Sequence, residues 1–281
     1  MQITGLTDKN FVHTVIRRRP KDVHKGSCGK VLIVAGSREM AGAAVFSSKA
    51  AIKCGSGLVN VCTRRKIFPV IQISVPESIC LPWGKAKRNL AGYDAIAAGP
   101  GMGVDRRTRE ILKRILTEYA GTFIIDADGL NTIAKDAKLQ VLLRSTKARV
   151  ILTPHIGEAG RLLGKQIKGC AKEEIGQALW EKFHCAVIVK GADTLVALSG
   201  GDAYINTTGN PGMATAGAGD VLTGIIVSLA GQGLSTDDAA RAGVFVHGMA
   251  GDMAAEKIGQ HGLTASDIAD YVPFALKEII D

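Results

Sequence analysis

One stretch of the chain gathers more chemistry than any other: Thr207-Thr208-Gly209-Asn210-Pro211-Gly212-Met213-Ala214-Thr215-Ala216-Gly217-Ala218-Gly219-Asp220-Val221-Leu222-Thr223-Gly224. A loop of small residues runs straight into an apolar segment that reads as a helix. Unpaired N–H groups at a helix N-terminus, backed by the macrodipole, bind an anion or a developing oxyanion. Asp220 falls in that first turn, with its carboxylate facing the anion. An acid meant only to bind phosphate is badly placed there, whereas a general base taking a proton from a hydroxyl is well placed. Helix capping alone needs one acid and no glycine loop.

Five smaller clusters follow apolar runs. Asp126-Ala127-Asp128-Gly129-Leu130-Asn131 offers hard oxygen ligands of the kind that hold Mg²⁺ against substrate phosphates. An Asx turn followed by a helix cap accounts for the same residues. Thr153-Pro154-His155-Ile156-Gly157-Glu158 puts His155 and Glu158 three apart at a helix start, on one side. There they can orient a substrate or a metal-bound water. Lys190-Gly191-Ala192-Asp193-Thr194 combines a point charge with a small-residue path, which suits a phosphate or a nucleotide as well as a plain turn. Gly36 to Ala43 is neither a Walker A loop nor GxGxxG, and it reads as a close ligand approach or a strand-to-helix turn. Gly99-Pro100-Gly101-Met102-Gly103 has GxG, but Val104 breaks the dinucleotide fingerprint.

These clusters need a frame that brings them together. Short Val- and Ile-rich runs recur at Val31–Ala35, Leu58–Cys62, Ala95–Ala98, Phe123–Ile125, Val150–Leu152 and Ala186–Val189. They are apolar on both alternations, as strands covered on both faces are. Helical patterns are expected over Ala43–Cys54, Asp105–Tyr119, Lys172–Phe183, Gly219–Gly231, Asp237–Glu256 and Ser266–Ile279. Thr194–Leu198 and Ala203–Ile205, joined by Ser-Gly-Gly-Asp, read as a hairpin. The expected fold is α/β: a mainly parallel sheet with helices on both faces and a late antiparallel hairpin. A single domain over 1–281 is expected, with 1–24 as a short N-terminal segment. Ligands then bind beyond the carboxyl ends of the strands, where the clusters fall.

Composition removes other classes. At 46% hydrophobic and 22% charged, the chain has the balance of a folded globule. The net charge of +9 permits polyanionic partners. Its basic residues, however, are dispersed in runs such as Arg17-Arg18-Arg19, Arg64-Arg65-Lys66 and Arg106-Arg107-Arg109, which read as solvated faces. Aromatics are 5%, too few for a stacking platform, so no nucleic-acid function is expected. The six cysteines have no CxxC spacing and read as free thiols. No signal-like or membrane-spanning run is found, and a cytoplasmic protein with no membrane partner is expected.

Read together, the clusters resemble the ribokinase-like superfamily, whose GxGD anion hole is matched by Gly217-Ala218-Gly219-Asp220. Its Asn-x-x-Glu motif aligns with His155-Ile156-Gly157-Glu158, where His replaces Asn. Pro-His-x-Gly-Glu, Lys25-Gly26 with Gly29, the Gly-Pro-Gly-x-Gly loop and Asp-Ala-Asp-Gly-Leu-Asn together look like one branch, the ADP-dependent NAD(P)H-hydrate dehydratases. The match runs from about Lys25 to the end.

That resemblance implies a ribokinase-like three-layer sandwich and a repair reaction on nicotinamide cofactors whose reduced ring has been hydrated. Asp220 would be the base, and Gly217, Ala218 and Gly219 would hold the transferring phosphoryl group. Lys190, Gly191, Ala192, Asp193 and Thr194, with Gly219, would contact the AMP portion of ADP. Ala41, Ala43, Gly103, His155 and Asp220 would contact the hydrated cofactor. Asp126, Asn131 and Glu158 are candidates for organising Mg²⁺ and water. Hydrated NADH, hydrated NADPH and ADP are the implied substrates. An NAD(P)H-hydrate epimerase on a separate chain is the implied partner, and a homo-tetramer the implied assembly. A ribokinase-like small-molecule kinase and a non-catalytic nucleotide-binding regulator are the alternatives. Loss of the motif's asparagine argues against the first, and the retained Asp220 against the second.

Overall fold

The computed structural model describes all 281 residues, Met1–Asp281. In chain order the strands and α-helices are β1 (Ile3–Leu6), α1 (Lys9–Val15), β2 (Lys30–Val34), α2 (Ala41–Lys53), β3 (Leu58–Cys62), α3 (Phe68–Ser74), β4 (Ile79–Leu81), α4 (Trp83–Ala86), β5 (Ala95–Ala98), α5 (Arg106–Glu118) and β6 (Thr122–Ile125). There follow α6 (Asp128–Ala134), α7 (Ala137–Ser145), β7 (Arg149–Leu152), α8 (Ile156–Leu163), α9 (Lys172–Phe183), β8 (Ala186–Val189), β9 (Thr194–Ala197), β10 (Ala203–Asn206), α10 (Ala218–Gly231), α11 (Thr236–Ile258) and α12 (Ala265–Ile280).

All ten strands join one sheet in the order β1-β10-β9-β8-β7-β6-β5-β2-β3-β4. Its double covering explains why the strands are apolar throughout. In β2, Val31 and Ile33 enter the core beneath α2, α10, α11 and α12, while Leu32 and Val34 enter the core beneath α5, α7, α8 and α9. Successive strand side chains point to opposite faces, so each face takes every second residue. This is the expected three-layer α/β arrangement.

The hairpin reading is refined. β9 runs antiparallel to both β8 and β10, and β1 then pairs parallel with β10. One strand is thus reversed within an otherwise parallel sheet. The sequence reading missed β1 and β4, the two edge strands, and the helices α1, α3, α4 and α7; of α6 and α8 it anticipated only the starts, at Asp126–Asn131 and His155–Glu158, and not the extent. Most of these are one or two turns long, too short for a periodic signal to emerge. All six cysteines are unpaired. No helix is long and apolar enough to cross a membrane.

Two features of this frame locate the chemistry. From β2 the chain moves outward to β3 and β4, then returns to lay β5 on the other side of β2. The strand order therefore reverses between β2 and β5, and such a switch point opens a crevice beyond the carboxyl ends. Second, α10 lies against α2 through Gly224, where a Cβ would run into the Ser47 carbonyl and the Ala50 side chain. Glycine lets the two helix backbones meet, which brings the start of α10 to the mouth of the crevice.

Candidate active site

The helix α10 opens on Gly217, which has φ +92° and no side-chain cap. A left-handed residue is strained for anything but glycine, and a Cβ here would also strike the Phe46 ring at 2.5 Å. The N–H groups of Gly219 and Asp220 find no acceptor in the protein. These are the orphan donors of a helix start, left open toward the sheet edge. The preceding loop is anchored from α11: Asp252 Oδ2 accepts from the Gly209 N–H at 2.7 Å, and its Oδ1 accepts from Asn210 Nδ2 at 2.9 Å.

Below the helix start lies a buried polar cluster. Asp126, at the end of β6, is 1% exposed; its Oδ1 accepts from Lys190 Nζ at 2.7 Å and its Oδ2 from Thr223 Oγ1 at 2.7 Å. Lys190, at the end of β8, also approaches Glu158 Oε2 at 3.8 Å. Glu158 is itself held by the start of α8: its Oε2 accepts from the His155 N–H at 2.9 Å, while His155 Nδ1 accepts from the Gly157 N–H at 3.0 Å. That reciprocal capping box fixes both side chains at the edge. Gly219 closes over the group, since a Cβ there would lie 3.4 Å from Lys190 Nζ.

Charge is unevenly distributed over this cluster. Burial pulls the Lys190 ammonium down, but Asp126, Glu158 and Asp220 around it more than offset that and hold it above its usual range. Burial is also the largest influence on Asp220; with the Asp126 carboxylate beside it, and against the pull of Lys190, it pushes Asp220 up to about 7. A carboxyl poised near neutrality beside unpaired amides is a group that can accept a proton at physiological pH.

The remaining residues singled out in the sequence fall into three places. Ala41 and Ala43 lie in the first turn of α2 and Gly103 after β5, on either side of the switch point. They approach closely there: a Cβ on Gly101 would meet the Ala43 Cβ at 2.8 Å, and the Gly103 N–H donates to Asp128 Oδ2 at 2.8 Å. Gly191 to Thr194 form an exposed turn after β8, with Gly191 at φ +138° and Asp193 at +52°. Lys172 ties this turn down, donating to the carbonyls of Ala192 and Asp193. Asn131 is not brought to the cluster, because its Oδ1 accepts from Arg161 Nε at 2.8 Å.

Asn131 therefore stands apart from Asp126 and Glu158, which meet only through Lys190. Both Asp126 oxygens are occupied, the cation between Asp126 and Glu158 is Lys190, and no three His, Cys, Asp or Glu side chains come together as metal ligands. The residues present do not fit a resident Mg²⁺ cage.

Thr223, Lys172 and Asp252 matter to this geometry and were given no role from sequence. Thr223 had a readable signal, since it stands three residues after Asp220 and so on the same helix face. Ala127, at φ +48°, had none; that conformation is strained for alanine and separates Asp126 from Asp128 at the strand end.

The family model described as NAD(P)H-hydrate dehydratase matches residues 31–274. A bifunctional NAD(P)H-hydrate repair enzyme from Thermofilum pendens is 40% identical over 277 residues, covering 93% of this chain and 52% of its own. The chain thus spans about half the length of that relative. An ADP-dependent (S)-NAD(P)H-hydrate dehydratase from Neisseria meningitidis is 38% identical over 271 residues, covering 94% of this chain and 90% of its own. Among solved structures, an ADP/ATP-dependent NAD(P)H-hydrate dehydratase from Bacillus subtilis, co-crystallised with ATP and Mg²⁺, superposes with a TM-score of 0.88 at 28% identity, covering 98% of each chain.

Proposed function

The chain belongs to the NAD(P)H-hydrate dehydratase family, and from that premise we propose that it dehydrates the S epimer of hydrated NADH and NADPH with ADP as phosphoryl donor. AMP and phosphate are the other products. One observation carries the reading: two unpaired amides at the start of α10 stand beside a carboxyl raised to about 7.

Hydroxide is a poor leaving group and phosphate a good one, so activating the ring hydroxyl by phosphorylation makes the dehydration feasible. In the first step the hydroxyl oxygen bonds to the β-phosphorus of ADP, the bond from that phosphorus to the AMP oxygen breaks, and Asp220 takes the hydroxyl proton. Gly217, Ala218 and Gly219 form the turn that holds the migrating group, with the unpaired Gly219 and Asp220 N–H groups as its donors, and Lys190 supplies fixed positive charge beside it. Such transfer depends mainly on positioning and charge neutralisation. Phosphate then leaves with the carbon–oxygen bonding pair, and loss of a proton from the neighbouring carbon returns the double bond. Lys190 to Thr194 and Gly219 hold the AMP portion; Ala41, Ala43, Gly103 and His155 hold the hydrated ring. Magnesium enters this reading only as the nucleotide's own counter-ion.

The reading extends to a single-domain, cytoplasmic homo-tetramer with an NAD(P)H-hydrate epimerase as functional partner, because only one epimer is consumed. Light scattering tests the tetramer. For the activity, purified protein is given hydrated NADH with ADP and, in parallel, with ATP. Recovery of the reduced-nicotinamide absorbance with release of AMP from ADP is the expected result. Tight ADP binding without recovery would leave a regulator, and phosphorylation of an unrelated alcohol a kinase.

A further inference from the structure

Two basic runs that look like unrelated solvated faces in sequence meet in the fold. Arg64, Arg65 and Lys66 follow β3, Arg107 stands in the first turn of α5, and Arg38 lies between β2 and α2. All five line one cleft of about 630 Å³ at the carboxyl edge of the sheet, and Gly103 lies on its wall. Its carboxylates are Glu39 and Asp105, and Asp105 is already held by Arg64 at 2.7 Å. Arg38, Arg65, Lys66 and Arg107 form no ion pair within 4.0 Å of their own. The lining therefore carries five positive and two negative side chains, 5 − 2 = +3.

The cleft is also placed in line with the reaction. Along the sheet edge the order is the Lys190 turn after β8, Asp126 after β6, Gly103 after β5, and then the basic residues after β2 and β3. At about 4.8 Å per strand, the end of β3 lies roughly 14 Å beyond Asp126, three strands away. A substrate whose hydrated ring rests at Asp220 and Gly103 carries its pyrophosphate one ribose further on and its adenosine ribose further still. The far end of the molecule is the part that reaches β3. There the two cofactors differ by a single group, the 2′-phosphate of NADPH, which adds up to two negative charges.

We propose that this cleft binds the 2′-phosphate of the substrate, making Arg65, Lys66 and Arg107 the residues that favour hydrated NADPH over hydrated NADH. This rests on the dehydratase reading above. The pyrophosphate is common to both hydrates, so comparing the two isolates the 2′-phosphate. Because the cations are mostly solvent-facing, their pull is screened over a Debye length of about 10 Å at 0.1 M salt, and the preference is greatest at low ionic strength.

The experiment measures KM and kcat for both hydrates, at saturating ADP and low salt, in wild type and in an Arg65→Gln/Lys66→Gln/Arg107→Gln variant. Arg17→Gln, in the separate cleft beside α1, is the control. The wild type is expected to show a KM about tenfold lower for hydrated NADPH, and the triple variant to bring the ratio close to one through KM. Added salt should shrink the wild-type ratio in the same direction, and Arg17→Gln should leave it intact. Equal KM values in the wild type, or an equal rise for both hydrates in the variant, would overturn the assignment while leaving the dehydratase reading standing. If neither hydrate is turned over, that reading has failed. The cleft is then tested without turnover, by calorimetric titration of wild type and variant with NADPH and NADH. Tighter NADPH binding lost in the variant supports the cleft, and no difference between the two cofactors refutes it.

Discussion

At the level of single residues, the account turns on Asp220. Replacing it with asparagine keeps the shape and removes the proposed base, so turnover should fall by about 10²–10⁴-fold, the usual worth of such a group. Calorimetry should show ADP binding retained. A base must be unprotonated to act, so the kcat/KM of the wild type should fall on the acid side of about pH 7. Asp126→Asn removes a neighbouring negative charge and frees Lys190 to face Asp220, and both changes should move that limb to lower pH. The same shift has a consequence for stability. The carboxyl of Asp220 is raised from 3.8 to about 7 in the folded protein, so the native state holds its proton more tightly than the unfolded chain does. That contribution is fully present below about pH 4 and is lost as pH rises to 7. Thermal melts should therefore show Asp220→Asn gaining on wild type between pH 4 and 7, by roughly 2–4 °C per kcal/mol, and then levelling off. Asp220 was legible in sequence because a lone acid behind a glycine loop is unusual. The ion pair between Asp126 and Lys190 was not, because 64 residues separate the partners. Only the sheet, which sets β6 and β8 either side of β7, makes them neighbours.

At the level of elements, two glycines of α10 should separate stability from activity. Gly224→Ala would push its methyl group into the Ser47 carbonyl of α2, and overpacking of this kind costs about 1–3 kcal/mol. Its melting temperature should drop. Gly219→Ala would place its methyl group 3.4 Å from Lys190 Nζ and 4.0 Å from Asp126 Oδ2, ordinary contact distances, so its fold should tolerate the change. That methyl, however, stands where the phosphoryl group is to pass, and turnover should fall with little change in melting temperature. Differential scanning fluorimetry beside a steady-state assay reads both variants. The course of α10 was readable from its apolar run, which ends on Gly231 as expected. Its contact with α2 was not, because alanine-rich helices give no sign of which neighbour they meet. The start of α2 was misjudged for a related reason. Ala41 and Gly42 looked like loop, yet they form the first turn facing Gly101.

At the level of the whole molecule, the sheet edge sets the parts out in order: the exposed turn after β8, the acid–lysine pair after β6 and β8, the glycine loops at the switch point, and the basic cleft after β2 and β3. The parallel order of the core strands was legible, because a strand buried on both faces announces itself by composition. The crevice was not, because strand order depends on which side of β2 the chain returns to. The basic runs illustrate the same point; each reads as solvated surface alone, and only the β2–β3 edge turns them into one lining. The central claim is that the ring hydroxyl is phosphorylated before it leaves, and one isotope measurement tests it directly. Hydrated NADPH bearing ¹⁸O in the ring hydroxyl is turned over with unlabelled ADP, and the released phosphate and water are analysed by mass spectrometry. The account expects the label in phosphate, with one AMP formed for each double bond restored. Label appearing in water, with AMP formed independently of ring repair, would contradict it.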